Sequence, residues 1–215
     1  MKQKVYNVMK VETPIELNST KLWKNIPEIL IDNYIWMENN YKPKVVAKLC
    51  YSKENLLVYF RSYEKEVTAR FTNINDSVHK DSCVELFVNL FPNQSKEYIN
   101  FEVNSIGTMH VGFGAPGNRK NLNVEEIRNI EVISNFDNPV IGLHGSNSWE
   151  IFYKVPFSMF EKQYKTKFTG EPATANLYKC GDETKFEHYA TWNLIDTEKP
   201  NFHLPEYFGN IIFEK

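Results

Sequence analysis

The amino-acid sequence predicts an all-β protein, an antiparallel β-sandwich of the immunoglobulin or jelly-roll kind with short helical decorations. Three observations support this fold class. Short runs rich in β-branched and aromatic residues recur along the chain, with turn-forming residues between them. Helical periodicity is scarce, and no stretch is rich enough in Gly, Pro or Ser to separate two domains. Since 215 residues suffice for one sandwich with its own core, we expect a single domain over residues 1–215.

The individual elements follow from these patterns. Ten segments are predicted as strands: Val45–Tyr51, Leu56–Ser62, Glu66–Phe71, Cys83–Leu90, Tyr98–Asn104, Thr108–Phe113, Ile130–Ser134, Trp149–Val155, Ala175–Cys180 and Asn210–Phe213. Short helices are predicted at Glu125–Asn129 and at Pro156–Gln163, the second of which begins with proline at a first-turn position. The segment Asn135–Ser148 contains one proline and two glycines, which predict a hairpin or surface loop.

The composition narrows the classes of partner. The 25 Lys and Arg residues and 27 Asp and Glu residues give a net charge of −2, without the basic excess that nucleic acid or anionic lipid attracts. No apolar window approaches a membrane span, and the N-terminus has no stretch of signal-peptide type. As written, the chain is expected in the cytoplasm, or in the periplasm or outside the cell if a leader has been removed.

The cysteines are few and widely spaced. Cys50, Cys83 and Cys180 are odd in number, and no two of them have the short spacing of a zinc motif. A disulfide framework is therefore not expected, and reduced, buried thiols are.

Two predicted strands, Cys83–Leu90 and Tyr98–Asn104, place polar groups together on one face of the sheet. Side chains alternate between the two faces of a strand, so the apolar members of both runs share one face. The side chains opposite them are Glu85, Phe87, Asn89, Asn100, Glu102 and Asn104. Carboxylates and carboxamides bind hydroxyl groups, and an aromatic ring contacts sugar C–H groups. The surface suits a polyhydroxylated ligand, although the same alternation is typical of any sheet with one solvated face.

Several blocks of residues follow one another in a characteristic order. The blocks are Asp81–Phe87, Asn100–Gly107, Val155–Phe157 and Ala175–Asp182, followed by Trp192, Pro200, Phe202, His203, Pro205, Glu206, Phe208 and Gly209. In this order the chain resembles the family 9 carbohydrate-binding modules, approximately over Val45–Phe213. The resemblance implies a β-sandwich, also found in the wider DOMON-like group, that binds a mono- or oligosaccharide on a sheet surface without catalysis.

The resemblance also implies hydroxyl-binding residues. In the family a glutamate, an arginine and an asparagine on adjacent strands bind the sugar hydroxyls. The glutamate corresponds to Glu85 and the asparagine to Asn104, whereas Glu102 replaces the arginine. An anion in place of a cation reverses the local electrostatics, and Glu102 is expected as an added acceptor.

The aromatic clamp of the family departs from its pattern in this chain. The first clamp tryptophan corresponds approximately to His79, and the second falls on or beside Phe202. His203 follows in the block that lines the family's site. We expect His79, Phe202 and His203 to contribute to ligand binding from the rim of the site.

Two other functions remain open on the sequence. Glu85 and Glu102 could act as the paired carboxylates of a glycoside hydrolase, which lie about 5 to 10 Å apart. The chain could also be a structural or protein-binding sandwich whose sugar site has decayed. The oligomeric state is not predicted.

No cofactor is expected, except that the family's structural calcium sites allow a calcium ion. The oxygen donors in question are those of Asp76, Asp81, Asp182 and Glu183. Their spacing does not specify a calcium loop.

Overall fold

The β-rich character predicted from the sequence is confirmed. The structure is a computed structural model, and it describes residues 3–12 and 16–215, without the side chains of residues 146 and 147. Its strands are β1 Val5–Lys10, β2 Ile29–Leu30, β3 Lys44–Tyr51, β4 Asn55–Ala69, β5 Cys83–Asn89, β6 Tyr98–Asn104, β7 Met109–Ala115, β8 Asn118–Asn121, β9 Glu131–Ser134, β10 Val140–Pro156, β11 Ala173–Cys180, β12 Tyr189–Thr191 and β13 Gly209–Phe213. The helices are α1 Thr20–Lys24, α2 Val124–Ile127 and α3 Phe157–Tyr164, and single 3₁₀ turns lie at Val78–Lys80 and Pro205–Tyr207.

The strands form one curled, mixed sheet. Its order is β8-β7-β6-β5-β11-β13-β1-β3-β4-β10-β9, with β12 beside β11 and β2 beside β3. The prediction of a purely antiparallel arrangement is wrong at β1, which pairs in parallel with both β13 and β3. The short β1 strand joins the two halves of the sheet because its first part pairs with β13 and its end pairs with β3.

Alternation along the strands places a single apolar core between the two halves of the sheet. Val84 and Leu86 of β5 and Phe101 of β6 are fully buried in it. Across the core, the ring of Phe101 lies 6.1 Å from that of Tyr153 on β10. Each fully buried side chain of this size contributes roughly 1.5 to 3 kcal/mol by removal of apolar surface from water. The residues between them in sequence are therefore directed to the outer face.

Two predicted boundaries are wrong. The segments predicted as Leu56–Ser62 and Glu66–Phe71 are one strand, β4, because the Glu64 carboxylate between them is buried with hydrogen-bond partners rather than turned to solvent in a loop. The predicted loop Asn135–Ser148 is largely part of β10. Register shifts interrupt its pairing with β4, and Gly142 supplies a φ of +63° there.

The remaining element predictions are largely confirmed. The two predicted helices correspond to α2 and α3, and Pro156 directly precedes α3 as its N-terminal boundary. The short strands β1, β2, β8 and β12 and the short helix α1 were not predicted. In the described part of the chain, no helix has the length and apolar character needed to span a bilayer.

Candidate functional site

A transverse row of side chains crosses the outer face of one half of the sheet. Strand register places Tyr178 opposite Glu85, Glu85 opposite Glu102, and Glu102 opposite His110. The row forms because the neighbours Val84 and Val103 turn into the core, which directs Glu85 and Glu102 outward. Two carboxyl groups from adjacent strands are thereby brought side by side, as the alternation in the sequence predicts.

The row forms part of the floor of a recess with a volume of about 360 Å³. This volume lies in the range of small-molecule sites, about 300 to 1,000 Å³. The lining residues are His79, Glu85, Phe87, Glu102, His110, Cys180, Asp182, Tyr189, Pro200, Asn201, Phe202 and His203. The loop that precedes the Pro205–Tyr207 turn contributes four of them and forms one wall.

The wall of the recess is aromatic. The ring of Phe202 stacks on Tyr178 at 4.2 Å with an interplanar angle of 10°, and the imidazole of His203 lies 4.9 Å from the ring of Phe87. The hydroxyl of Tyr98 and Nδ1 of His203 are hydrogen-bonded at 2.8 Å, which fixes the imidazole. Burial, together with the charge of nearby Arg119, lowers the pKa of His203 to about 4, so this ring is neutral at pH 7.

The carboxylate of Glu102 retains its charge in this site. Nδ2 of Asn100 donates to Oε1 of Glu102 at 2.9 Å, and Nδ1 of His79 lies 3.7 Å from Oε2. Burial alone would raise the pKa of Glu102. The close approach of the His79 imidazole outweighs that effect and holds the pKa below its usual range.

The pKa of Glu85, which lies directly opposite Glu102, is shifted the other way. Burial raises the pKa of Glu85 well above its usual range, and the Cys180 thiol and the Glu102 carboxylate raise it further. The thiol of Cys180 lies 2.9 Å from Oε1 of Glu85. The proton is therefore held more tightly on Glu85 than on Glu102, because two neighbouring buried carboxyl groups disfavour a second negative charge.

A third acidic group lies at the edge of the recess. Burial raises the pKa of Asp182 to about 6, with His79 opposing the shift. Through its contact with Glu102, the pKa of His79 is raised, although burial acts against this. At neutral pH the recess therefore contains carboxylates, a neutral acid and imidazole groups, and no lysine or arginine lies among its lining residues.

The structure brings five of the six sequence-predicted site residues together. These are His79, Glu85, Glu102, Phe202 and His203. His79 and Phe202, which the resemblance places near the two tryptophan positions of the family, line the same recess.

Asn104 is separate from the other five and does not line the recess. Its Nδ2 donates to the Phe71 carbonyl at 2.9 Å and to Oδ2 of Asp81 at 3.1 Å, and its Oδ1 accepts from the Thr108 amide at 2.9 Å. The side chain is fully buried. In this structure the amide of Asn104 fastens the end of β6 to neighbouring loops, and its assignment as a sugar ligand stays a prediction.

Sequence reasoning did not assign His110, Asp182 and Asn201 to ligand binding, although they line the recess. His110 is recoverable from the register of β6 and β7, which places it opposite Glu102. Asp182 and Asn201 lie outside the strands, and no local pattern directs them to this place. Cys180 was expected to be a buried thiol at a strand end, and it is buried at the end of β11 while also bordering the recess.

Three of the four residues considered for calcium are already bound by protein groups, and the fourth, Asp182, lines the recess. The Asp81 carboxylate accepts from Nε of Arg70 at 3.0 Å and from two backbone amides, and Glu183 pairs with Lys80 at 2.7 Å. Asp76 closes its own turn by accepting from Asn73 at 2.9 Å. The oxygens of these three residues are already engaged by protein partners, and Arg70 contacts both Asp81 and Glu183, whereas calcium requires six to eight oxygen ligands around one point.

A second, larger groove lies on the outer face of the other half of the sheet. Its volume is about 540 Å³, and its base includes Trp23, Tyr59 and Phe152. Tyr59 and Phe152 stack at 4.8 Å, and Trp23 packs on both rings. We favour the smaller recess as the functional site because acids, imidazoles and accessible rings converge there, and because five predicted residues line it.

The curled sheet with a polar and aromatic recess on its outer face is the architecture of a carbohydrate-binding module. The chain matches the family model for carbohydrate-binding family 9 over residues 16–213 and therefore belongs to that family. Modules of this family bind carbohydrate without catalysis, and the chain is a carbohydrate-binding protein of this kind.

Solved structures share this fold. A protein of Bacteroides uniformis, proposed to bind carbohydrate, has 29% sequence identity and a TM-score of 0.90, with 99% of this chain and 100% of that chain covered. A family 9 module of Caldicellulosiruptor kristjanssonii in complex with glucose has 12% identity and a TM-score of 0.65, with 98% and 96% covered. A family 9 module of the same organism in complex with cellotriose has 11% identity and a TM-score of 0.66, with 98% of this chain and 94% of that chain covered. No curated protein matches the chain.

Proposed function

We propose that the protein binds a neutral sugar unit in the recess that Glu85, Glu102, His79, Phe202 and His203 line, and that it does not hydrolyse glycosidic bonds. One observation carries the proposal. The carboxyl groups of Glu85 and Glu102 lie side by side on the floor, beside an aromatic wall, and the pKa of Glu85 is raised while that of Glu102 is lowered. This combination supplies a hydrogen-bond donor, acceptors and an apolar ring surface within a recess that is large enough for one sugar unit.

The hydrogen-bonding capacity of the floor suits hydroxyl groups. A hydroxyl donates one hydrogen bond and accepts others, so its site needs both kinds of partner. Ionised Glu102 accepts only, whereas protonated Glu85 and the imidazole of His79 can donate. Hydrogen bonds to a charged group are worth about 1.5 to 3 kcal/mol, which makes Glu102 the strongest single contributor.

The charge of the recess favours neutral sugars over sugar acids. Glu102 and Asp182 would face a uronate carboxylate, with no lysine or arginine among the lining residues to balance it. Like charges brought together in a partly buried site are unfavourable. Glucose and cellotriose, the ligands of the two Caldicellulosiruptor complexes, are both neutral.

The position of the two carboxyl groups argues against hydrolysis. In glycosidases the catalytic pair flanks the scissile bond, with one group on each side. Here both groups rise from adjacent strands of one floor, and Glu85 and Glu102 are only 2% and 6% exposed. A sugar placed over them would meet both from the same side.

Calorimetric titration with glucose, cellotriose and glucuronic acid tests the proposal. We expect both neutral sugars to bind and glucuronic acid to bind more weakly. Glu102→Gln should weaken binding of the neutral sugars by about 10- to 100-fold, the equivalent of one lost charged hydrogen bond. Glu150→Gln is the matched control, because it removes a carboxylate from the other groove.

Two results would contradict the proposal. One is an equal loss of sugar binding in Glu102→Gln and Glu150→Gln, or no binding of any sugar by the folded wild-type protein. The other is release of glucose from cellotriose that both Glu85→Gln and Glu102→Gln abolish, which would establish a hydrolase instead.

A further inference from the structure

Two of the three cysteines meet beneath the sugar recess. The sulfur atoms of Cys83 and Cys180 and a carboxylate oxygen of Glu85 all lie within 4.8 Å of one another, and all three residues are buried. Among the described residues, no other set of three His, Cys, Asp or Glu side chains brings its ligand atoms this close together. The third cysteine, Cys50, is buried elsewhere, in a cluster with Trp23 and Tyr59.

The cluster follows from strand register rather than from sequence spacing. Cys83 on β5 lies directly opposite Cys180 on β11. Glu85 is two residues beyond Cys83 on the same strand and therefore projects from the same face. The two thiols are 97 positions apart, which explains why no short zinc motif is visible in the sequence.

We propose that Cys83, Cys180 and Glu85 form a binding site for a thiophilic divalent cation of the zinc class. Two thiolates and one carboxylate are ligand types that Zn²⁺ prefers, and they leave a fourth tetrahedral position vacant. Cys180 and Glu85 both border the recess, so that position is open to a water molecule or to a ligand in the recess. The recess also provides the path by which the cation enters.

The charge and proton balance of the site is complete. Binding of one divalent cation to two thiol groups and one carboxylic acid releases three protons and leaves a centre of net charge −1. The cation would also hold Glu85 in its ionised form, so the metal-bound protein would lose the Glu85 donor from the floor of the sugar recess, and the sugar titrations are made on metal-free protein.

The ligand set separates this site from calcium. Thiolates select zinc-class ions, whereas calcium requires a cage of oxygen atoms. The inference does not depend on sugar recognition, because the metal is detected in the absence of sugar.

Titration of the reduced, metal-free protein with Co²⁺ tests the inference. Co²⁺ serves as a coloured substitute for Zn²⁺. We expect a thiolate-to-cobalt charge-transfer absorption at one equivalent, together with visible bands of tetrahedral cobalt. Zn²⁺ should abolish both signals and Ca²⁺ should not. The titration should also release protons, which a weakly buffered indicator assay measures.

Three variants locate the site. Cys83→Ser and Cys180→Ser should each weaken Co²⁺ binding by more than the roughly 10- to 100-fold that loss of an outer-shell partner costs. Cys50→Ser, the matched control, should bind Co²⁺ as the wild type does. Glu85→Gln should retain charge-transfer absorption but weaken affinity, and it provides a test if a serine variant fails to fold.

The inference is overturned if reduced wild-type protein gives no charge-transfer band, if Ca²⁺ competes as well as Zn²⁺, or if Cys50→Ser loses the signal as Cys83→Ser does. Air oxidation provides a further test, because a Cys83–Cys180 disulfide would lower the intact mass by two hydrogens. The inference is also overturned if this disulfide forms and the protein, once reduced again, binds no metal. Failure of sugar titrations with intact Co²⁺ binding would count against the proposed function alone.

Discussion

Two buried carboxylates, Glu64 and Glu102, occupy contrasting environments in this molecule. Glu64 lies between the two halves of the sheet, and Glu102 lies on the outer face of one half. Both are nearly inaccessible, and in both the pKa is lowered despite burial. They differ in the number of protein groups that bind their oxygen atoms.

Protein donors surround Glu64 completely. Its oxygens accept hydrogen bonds from Ser62 at 3.1 Å, Ser82 at 2.8 Å and Nε1 of Trp149 at 2.7 Å. Lys179 of β11 forms an ion pair with it at 3.2 Å. Because Glu64 belongs to β4, this pair joins the two halves of the sheet across the core.

The side chain of Glu102 has fewer partners. Asn100 donates to one oxygen, and His79 approaches the other at 3.7 Å, longer than a normal hydrogen bond. A buried carboxylate has about four acceptor positions. The comparison teaches that burial alone does not distinguish a structural carboxylate from a ligand-binding one, whereas unused acceptor capacity beside a recess does.

The largest expected effect is a loss of stability at Glu64, whose oxygen atoms have a full set of protein partners. Lys179→Met removes the counter-ion of Glu64 and leaves a buried, unpaired carboxylate, so the free energy of unfolding should fall by about 3 to 5 kcal/mol. Urea denaturation measures it. The control is Lys4→Met, which breaks an exposed ion pair with Asp32 and should cost less than about 1 kcal/mol. Equal effects of the two variants would show that the buried pair has no special structural role.

A smaller effect is expected at the wall of the recess. Phe202→Ala removes the ring that stacks on Tyr178 and faces the ligand. Since an aromatic contact is worth about 0.5 to 1.5 kcal/mol, sugar affinity should fall about two- to tenfold. Calorimetric titration with glucose measures it, and Phe152→Ala in the other groove is the matched control. Unchanged sugar affinity in Phe202→Ala would show that the Phe202 ring does not contact the sugar.

The third effect is a pH dependence with opposite signs at the two floor residues. The pKa of Glu85 is raised, so the folded protein retains a proton that the unfolded chain loses, and stability declines as pH rises above about 4.5. Glu85→Gln should remove this decline. The pKa of Glu102 is lowered, so its contribution is present above about 4.5 and is lost as pH falls through the lowered value.

Denaturation of Glu85→Gln and Glu102→Gln between pH 4 and pH 8 measures these slopes. Relative to the wild type, Glu85→Gln should become more stable toward pH 8 and Glu102→Gln less stable. Parallel slopes in the two variants would contradict the assignment of one protonated and one ionised floor carboxyl.

The smallest effect concerns His79 at the rim. Its raised pKa means that its ion pair with Glu102 stabilises the fold fully below about pH 6.5, and that this contribution is lost as pH rises through the raised value. The side chain is 39% exposed, so solvent screening limits the contribution to less than about 1 kcal/mol. His79→Gln should therefore lower stability near pH 6 and not at pH 9, as measured by urea denaturation. A loss of equal size at both pH values would mean that His79 acts through packing instead.

Much of the floor of the site could be predicted from the sequence, and the closure around it could not. The alternation in β5 and β6 placed Glu85 and Glu102 on the outer face, where the structure has them. The same alternation suggested Asn104, which lies on that face but at the strand end, where loops cover it. Local periodicity specifies the face of a strand but carries no information on what packs over it.

The family pattern added the segment that periodicity could not supply. Phe202 and His203 belong to a loop far along the chain, and their place against Phe87 and Tyr178 depends on long-range packing. The antiparallel prediction failed for a similar reason. The partners of β1 are a strand at the opposite end of the chain and a strand across a long connection, and no local signal specifies the direction of such pairing.

By itself, the sequence determined the β-rich fold, the outward direction of the two floor glutamates and the kind of ligand their chemistry suits, because a period of two and the properties of each side chain are local. Only the tertiary structure decided which carboxylate keeps its proton, which amide is already used by the protein, and that two distant thiols meet beneath the recess. These outcomes depend on burial and on partners brought together across many residues, and both arise only when the sheet curls and packs.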